Sequence, residues 1–363
     1  MTEKDRFKGR KDMHISIIGS PGCGKSTLFQ ALTGAAPGRK NGADAMATIE
    51  VPDRRIEKLT EIFHPRKTTY ARITVADTVA IEEGNIKKET IGPGTLQEMR
   101  GSDAFLLVLR NFDNGGPADL KGDFRNIVDE FIFADMVQIE ARLERIGKQP
   151  GKKDHPELAR EEASLRECLD HLNGGHPLAT LPLFREDGKQ LKGFRFLSQK
   201  PIMVVANCEE TARGGAVDGE SLLTDGVPST LPFLAACGKL EAELAVMDPG
   251  ERESFMEEYG IGESVAGRIV GLAFRTLGLI SFLTVGEDEC RAWPIREGMN
   301  AQEAAGAIHT SLSEKFIRAE TVSYEDFIRH GGFNGCKKAG AWRLEGKTYI
   351  VRDGDILTIR AGN

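Results

Sequence analysis

The stretch GSPGCGKST, residues 19–27, follows the apolar run Ile15-Ser16-Ile17-Ile18 and precedes Leu28-Phe29-Gln30-Ala31-Leu32. Its Gly19, Gly24, Lys25 and Ser26 satisfy G-x-x-x-x-G-K-[ST], a spacing that turns a strand into a helix while aiming backbone N–H groups at a chain of phosphates. Gly22 and Gly24 can take positive φ and bring the backbone close to phosphate oxygens, and a helix starting at Lys25 adds the partial positive charge of its N-terminus. Lys25 would reach the β- and γ-phosphates and the Ser26 hydroxyl would ligate Mg²⁺, with Cys23 and Thr27 completing the loop around the nucleotide. The strand before and the helix after predict an α/β fold, a doubly wound, mostly parallel sheet of the P-loop NTPase kind.

Around that loop the 363 residues allow two or three domains of ordinary size. A hydrophobic share of 40% and a charged share of 28% are those of a soluble globular protein. No apolar run approaches the roughly 18 residues of a membrane helix, and the charged start MTEKDRFKGRKDMH lacks the apolar core of a signal peptide, so a cytoplasmic protein without a membrane partner is expected. The six cysteines carry no C-x-x-C pairing and read as reduced thiols; a lowered pKa at Cys23, beside a helix N-terminus, is one reading and a small filler the other. A net charge of −7 argues against a nucleic-acid binder over the whole surface and leaves room for local basic patches: Lys87-Lys88, Lys148 with Lys152-Lys153, and Lys337-Lys338 with Arg343 and Lys347.

Further along, ATIEVPD reads as a strand ended by Pro52, and residues 71–77 alternate as a strand that delivers Asp77 at its C-terminal end, where ligands gather in such sheets. Residues 104–109 and 201–206 are continuously apolar, as buried parallel strands are; the second leads into Asn207-Cys208-Glu209-Glu210. Between them Ile127, Phe131, Ala134, Val137, Leu143 and Ile146, then Leu158, Leu165, Leu169 and Leu172, recur at helical steps on either side of GKQPGKKDHP. Two antiparallel helices joined by a basic turn fit this, either as an arm or as a covering layer. The C-terminal part changes character: SFLTVG, ECRAWPI and KTYIVRDGDILTIRAG flank a helix over residues 301–312, a small α+β module.

Several separated strings together resemble the YchF, or Obg-like ATPase, family: GSPGCGKSTLFQALTG, VPDRRIEKL, ANCEE, GKLEAEL, CRAWPIREGMNAQEAAGAIHTSLSEKFIRAETVSYEDF and RLEGKTYIVRDGDI. The resemblance spans nearly the whole chain. It implies a P-loop NTPase domain over residues 1–122 and 198–278, an inserted helical hairpin over 123–197, and a TGS domain of β-grasp type over 279–361. It also implies a monomer that binds ATP or ADP with Mg²⁺, prefers ATP to GTP, and associates with ribosomes, the large-subunit RNA being the expected contact. Guanine-specific relatives carry N-K-x-D, whose Asp takes the two donors of the guanine edge. Here Asn207, Cys208 and Glu210 stand in that pattern, so the lysine is missing and the acid is one methylene longer, which shifts base selection toward adenine. Cys237 and Gly238 correspond to the loop that closes over the base. Asn207 has an alternative reading as a tie between loops.

Against the family the candidate catalytic positions are Lys25 and Ala80. The second switch, D-x-A-G in relatives, reads Asp77-Thr78-Val79-Ala80: Asp77 remains for Mg²⁺, while the glycine that meets the γ-phosphate has become Ala80. Ile81 stands where many GTPases orient water with Gln, although the resemblance implies an apolar residue at this position in the family itself. The first switch is short and aligns Asn41, or alternatively Thr48, with the family's Mg²⁺-binding threonine; the family's loop histidine is absent from NFDNGGPADLKGDF. These departures predict retained binding with slow hydrolysis, since positioning groups affect rate before ground-state affinity. A non-hydrolysing scaffold and a guanine-nucleotide switch are the alternatives.

Overall fold

The computed structural model describes residues 13–34, 45–88, 90–149, 155–183, 191–209, 231–259 and 261–362; Asn41, Lys152, Lys153 and Glu210 lie outside them. The chain divides into two units, one containing His14–Ala47 and Thr74–Ile269, the other Thr48–Ile73 and the chain from Val270 on.

The strands of the first half are β1 (Met13–Ile18), β2 (Ala45–Val51), β3 (Lys67–Thr69), β4 (Ala71–Asp77), β5 (Ala104–Asn111), β6 (Ile202–Cys208) and β7 (Phe233–Ala236). All but β3 form one sheet in the order β2-β4-β1-β5-β6-β7, with β1, β5, β6 and β7 running parallel. β5 is buried from Ala104 through Leu109, so its unbroken aliphatic run reflects packing on both faces. Parallel pairing brings the carboxyl ends of β1, β5, β6 and β7 to one edge, where the loops that matter for function emerge. Helix α1 (Lys25–Thr33) leaves that edge from β1 and buries Leu28, Phe29, Ala31 and Leu32.

Between β5 and β6 lie α4 (Leu120–Gly147) and α5 (Pro156–Asn173), after α2 (Arg54–Phe63) and α3 (Pro93–Gly101). α4 serves two cores. Its first half sends Leu120, Phe124, Ile127, Phe131 and Ala134 into the sheet's core with Phe105 and Val204, whereas Ile132, Ile139 and Ile146 pack against Leu165, Cys168 and Leu172 of α5. A helix turning its apolar stripe from one partner to another breaks simple periodicity. Val137, assigned to the stripe from its spacing, is 48% exposed for that reason, and Ile139 takes the buried position. The second half is braced by the two-pronged Arg142–Glu161 pair, 2.7 and 2.8 Å.

Asp135 fastens α4 to the chain entering β6. Fully buried, it accepts the N–H groups of Leu197 at 2.9 Å and Ser198 at 2.8 Å, the Ser198 hydroxyl at 2.8 Å, and the Arg100 guanidinium at 3.1 Å.

The second unit's sheet runs β11-β10-β12-β8-β9-β3, with β8 (Leu279–Thr284), β9 (Glu289–Arg296), β10 (Phe316–Ser323), β11 (Arg343–Glu345) and β12 (Asp355–Ala361). β8/β9 and β10/β12 are antiparallel, β12/β8 and β3/β9 parallel. The helix expected over residues 301–312 ends at Ile308; His309 then caps a separate turn, Thr310–Glu314. Of the long string KTYIVRDGDILTIRAG, β12 holds only the last part, because Gly354, at φ +79, turns the chain just before it. Two family strings meet here: Arg55 of VPDRRIEKL holds Asp353 of RLEGKTYIVRDGDI at 2.7 and 3.3 Å, and Asp353 in turn accepts the Ser281 N–H at 2.8 Å. Phe63 stacks on Phe327 with ring centroids 5.6 Å apart.

Removing the Asp135 carboxylate leaves a nearly buried guanidinium without its charged partner and two backbone donors without their acceptor. Asp135→Ala is expected to cost about 3–5 kcal/mol, read as a lowered urea midpoint with the slope unchanged.

Candidate functional site

The loop of residues 19–26 takes its shape from three glycines in the left-handed half of backbone space: Gly19 at φ +155, Gly22 at +71 and Gly24 at +95. Gly24 also has no room for a side chain, since a Cβ there would overlap the Asn207 amide. It is the N-cap of α1 and leaves the first N–H groups of the helix without a capping side chain, free for an anion. Thr27 is the third residue of α1. Lys25, 8% exposed, holds its ammonium across the loop, donating to Gly19 O at 3.1 Å and Ser20 O at 3.2 Å.

Ser26 and Asp77 come together as their motif positions anticipate. The Ser26 hydroxyl donates to Asp77 Oδ2 at 2.7 Å, and Asp77 Oδ1 is buried without a hydrogen-bond partner among the described residues. A buried carboxylate oxygen with nothing to accept is costly unless a cation or a bound water meets it. A hydroxyl and a carboxylate are hard oxygen donors of the kind Mg²⁺ takes alongside water and phosphate, so these residues fit that ion. No group of three or more His, Cys, Asp or Glu that could cage a metal occurs among the described residues.

After Asp77 the chain is pinned. Thr78 donates both its hydroxyl (2.6 Å) and its N–H (3.3 Å) to Ile17 O, and Ile81 donates its N–H to Gly19 O at 3.1 Å. The Ile81 side chain is 1% exposed and packs in the core with Ile18, Ile91 and Phe105. Ala80 has an ordinary negative φ and, with Val79, Glu82, Asn85, Thr90 and Gly92, lines a cleft of about 280 Å³. Thr48, one candidate for the switch threonine, is an exposed residue inside β2.

On the base side the Asn207 side chain spans two loops: Nδ2 donates to Cys23 O at 3.0 Å and Oδ1 accepts the Gly238 N–H at 2.9 Å. It thereby ties the phosphate loop to Cys237, the half-exposed N-cap of the helix Gly238–Val246, which is the tie read as its alternative role. One amide hydrogen remains for a base edge. The Cys208 thiol turns inward, accepting from Asn111 at 3.3 Å, so the backbone at this position is what can face a ligand. Burial pushes the Cys23 thiol up, against the pull of Lys25, which removes the low-pKa reading.

Sequence reasoning missed how the loop after β5 is built. The Arg110 guanidinium gathers the carbonyls of Phe112 (3.1 Å), Gly116 (2.9 Å) and Pro117 (2.9 Å), Asp113 accepts from Gly115 and Gly116, and Glu209 accepts the Asp113 N–H at 2.8 Å. Asp123 accepts the Ser20 hydroxyl at 3.2 Å, and a Cβ on Gly22 would lie 3.1 Å from Asn114 Nδ2, so this loop borders the phosphate loop. The one available signal was a charged residue, Arg110, closing an otherwise apolar strand.

The family model described as a 50S ribosome-binding GTPase matches residues 14–149, and the YchF-GTPase C-terminal model, described as a protein of unknown function, matches residues 279–362. The chain is 36% identical to the ribosome-binding ATPase YchF of Bacillus subtilis (strain 168), over 95% of this chain and 98% of the relative. It is 34% identical to the protein of that name in Escherichia coli O157:H7, over 94% and 97%. Among solved structures, the Schizosaccharomyces pombe YchF GTPase superposes with a TM-score of 0.81 at 25% identity, covering 96% of this chain and 98% of the other.

Two substitutions separate the phosphate and metal contacts. Lys25→Ala is expected to weaken ATP binding by about 1.5–3 kcal/mol, the range for a charge-assisted contact. Asp77→Asn is expected to abolish most of the gain in ATP affinity on adding Mg²⁺ while leaving Mg²⁺-free binding nearly intact. Calorimetry with and without Mg²⁺ reads both.

Proposed function

The chain belongs to the YchF family, and from that premise we propose that it is a ribosome-associated, ATP-preferring P-loop protein of the cytoplasm that hydrolyses ATP slowly and acts as a switch. The observation that carries the reading is the pairing of a complete phosphate cradle with an incomplete catalytic segment. Lys25, the α1 N-terminus and the Ser26–Asp77 pair supply charge and donors for a triphosphate and its Mg²⁺. When bound, Mg²⁺ would supply neutralisation of charge on the β- and γ-oxygens. Water then attacks the γ-phosphorus and ADP leaves, a reaction that depends on positioning and charge stabilisation. In the position of the family's switch glycine the chain offers the N–H of Ala80, whereas Ile81 is buried in the core and brings no polar group to orient water. That same burial of Ile81 favours the second reading, a nucleotide-binding scaffold without turnover. Single-turnover measurement with ATP and Mg²⁺ separates them: phosphate release on a scale of minutes supports the switch, and none supports the scaffold.

The preference for adenine follows from the missing lysine at Cys208 and from Asn207, which keeps one amide hydrogen for a purine edge while its other bonds hold the loops. Residues 1–122 with 198–278 are assigned nucleotide binding, and the hairpin 123–197 and TGS domain 279–361 partner contact. The relatives' names are those of ribosome-binding ATPases, and the basic residues offer a footing for ribosomal RNA on an acidic chain. Lys337 and Lys338 are exposed on the helix Phe333–Ala339, and Lys347 is exposed on the turn beyond β11. Lys148 is exposed but paired with Glu144. Arg343 leaves the set, because its guanidinium is committed to the Tyr349 hydroxyl at 3.1 Å with Glu345 and Asp355 alongside.

Two outcomes are expected. ADP binds at least about tenfold tighter than GDP, a difference of about 1.4 kcal/mol in calorimetry; the reverse order would establish the guanine switch instead. Co-sedimentation with ribosomes falls steeply as salt rises, and changing Lys148, Lys337, Lys338 and Lys347 to Gln flattens that slope, since fewer counterions are released; equal slopes would remove this surface.

A further inference from the structure

One buried carboxylate plays no part in the nucleotide site. Glu130 lies midway along α4, 7% exposed, on the half of the helix that carries Ile127, Phe131 and Ala134 into the core of the sheet. Burying a carboxylate there is costly unless both oxygens are hydrogen-bonded, and an apolar residue of similar length would fill the position at lower cost. Both oxygens are used. Oε1 accepts the backbone N–H of Gly84 at 2.6 Å and Oε2 that of Ile86 at 2.8 Å. Two charge-assisted bonds to alternate amides of one turn make a stronger and more directional fastening than neutral ones.

The turn they grip is the continuation of Asp77-Thr78-Val79-Ala80. It is closed on itself by Asn85, whose Oδ1 accepts the Glu82 N–H at 2.7 Å, and by the Lys88 N–H on Gly84 O and the Thr90 N–H on Asn85 O, both 2.9 Å. Gly84, at φ +78, permits its shape. On either side of the turn, Ile81 and Ile91 sit in the same apolar core as Phe131. The segment after Ala80 is therefore a compact loop hung on α4, with Glu130 as the polar fastening at its middle.

We propose that Glu130 is a positioning residue that couples α4 to the nucleotide state of the segment following Ala80. The proposal rests on the nucleotide-binding reading above and adds to it the route by which the helical arm senses the bound nucleotide. A triphosphate that draws Ala80 toward its γ-oxygens pulls the turn over residues 82–88, and the carboxylate transmits the pull to the helix. The coupling is reciprocal: a partner that shifts α4 changes nucleotide affinity by the factor by which nucleotide changes the partner's.

Hydrogen exchange on the full chain tests this, with Mg²⁺ and either ADP or a non-hydrolysable ATP analogue, for the wild type, Glu130→Gln and Glu130→Asp. Gln keeps the size and replaces one acceptor by a donor facing an N–H; Asp keeps the charge and shortens the reach. In the wild type, exchange over residues 124–134 is expected to differ between the two nucleotides. In both variants that difference disappears, protection at the Gly84 and Ile86 amides falls by about tenfold or more, and calorimetric nucleotide affinity stays within about twofold. If the wild type binds neither nucleotide, the functional reading fails and the coupling with it. If nucleotide binds and residues 124–134 respond alike in wild type and in whichever variant folds, Glu130 is a structural bond only and the proposal is overturned.

Discussion

One carboxamide holds the phosphate loop to the base loop. Asn207 at the end of β6 gives its N–H to Cys23 O and takes the N–H of Gly238, so two segments far apart in sequence are spaced by a single planar group. That planarity dictates what surrounds it. Gly24 has no Cβ because the amide occupies the space, and Gly238 would place a Cβ 2.9 Å from Asn207 Oδ1. Each bond contributes only about 1 kcal/mol on average. The larger consequence is geometric: the cradle has one width, set before any ligand arrives, so little ordering entropy is left to be lost on binding.

Binding and turnover part company around this frame. What a polyphosphate requires for affinity is distributed over backbone N–H groups, one ammonium and one hydroxyl–carboxylate pair, all held by short-range bonds within the unit. What its hydrolysis requires is the positioning of one water molecule, and in the segment after Asp77 the chain carries Ala80 and a buried isoleucine, Ile81.

The parts of the fold that could be read in advance are those with local signatures. The glycine spacing of the phosphate loop, the aliphatic runs of β5 and β6, and the alternation that delivers Asp77 each announce themselves within a dozen residues, and a mostly parallel sheet is expected from them. Ser26 and Asp77 are hydrogen-bonded to each other, and Lys25 reaches back across its own loop to Gly19 and Ser20. The unread parts are long-range. β10 was not anticipated because its FIRAETVS alternates imperfectly, with a register shift between Phe316 and Arg318 against β12. The Ser20 hydroxyl's bond to Asp123 and the Arg55–Asp353 pair have no local pattern at all, since each joins a charged side chain to a partner that only the folded chain brings near. The pair of Arg55 and Asp353 joins two of the strings that carry the family resemblance.

The sheet of the second unit borrows β3 from a region of the chain made long before the rest of it. Thr69 hydrogen-bonds Glu289 across a separation of 220 residues, and among the described residues β3 pairs with β9 at the edge of the sheet. During vectorial synthesis this short strand and the apolar side of α2, with Ile56 and Leu59, are therefore exposed while most of the polypeptide is still being made. Such a high contact order places the completion of that unit among the last events of its folding, and makes a nascent chain stalled before Glu289 a candidate for chaperone capture.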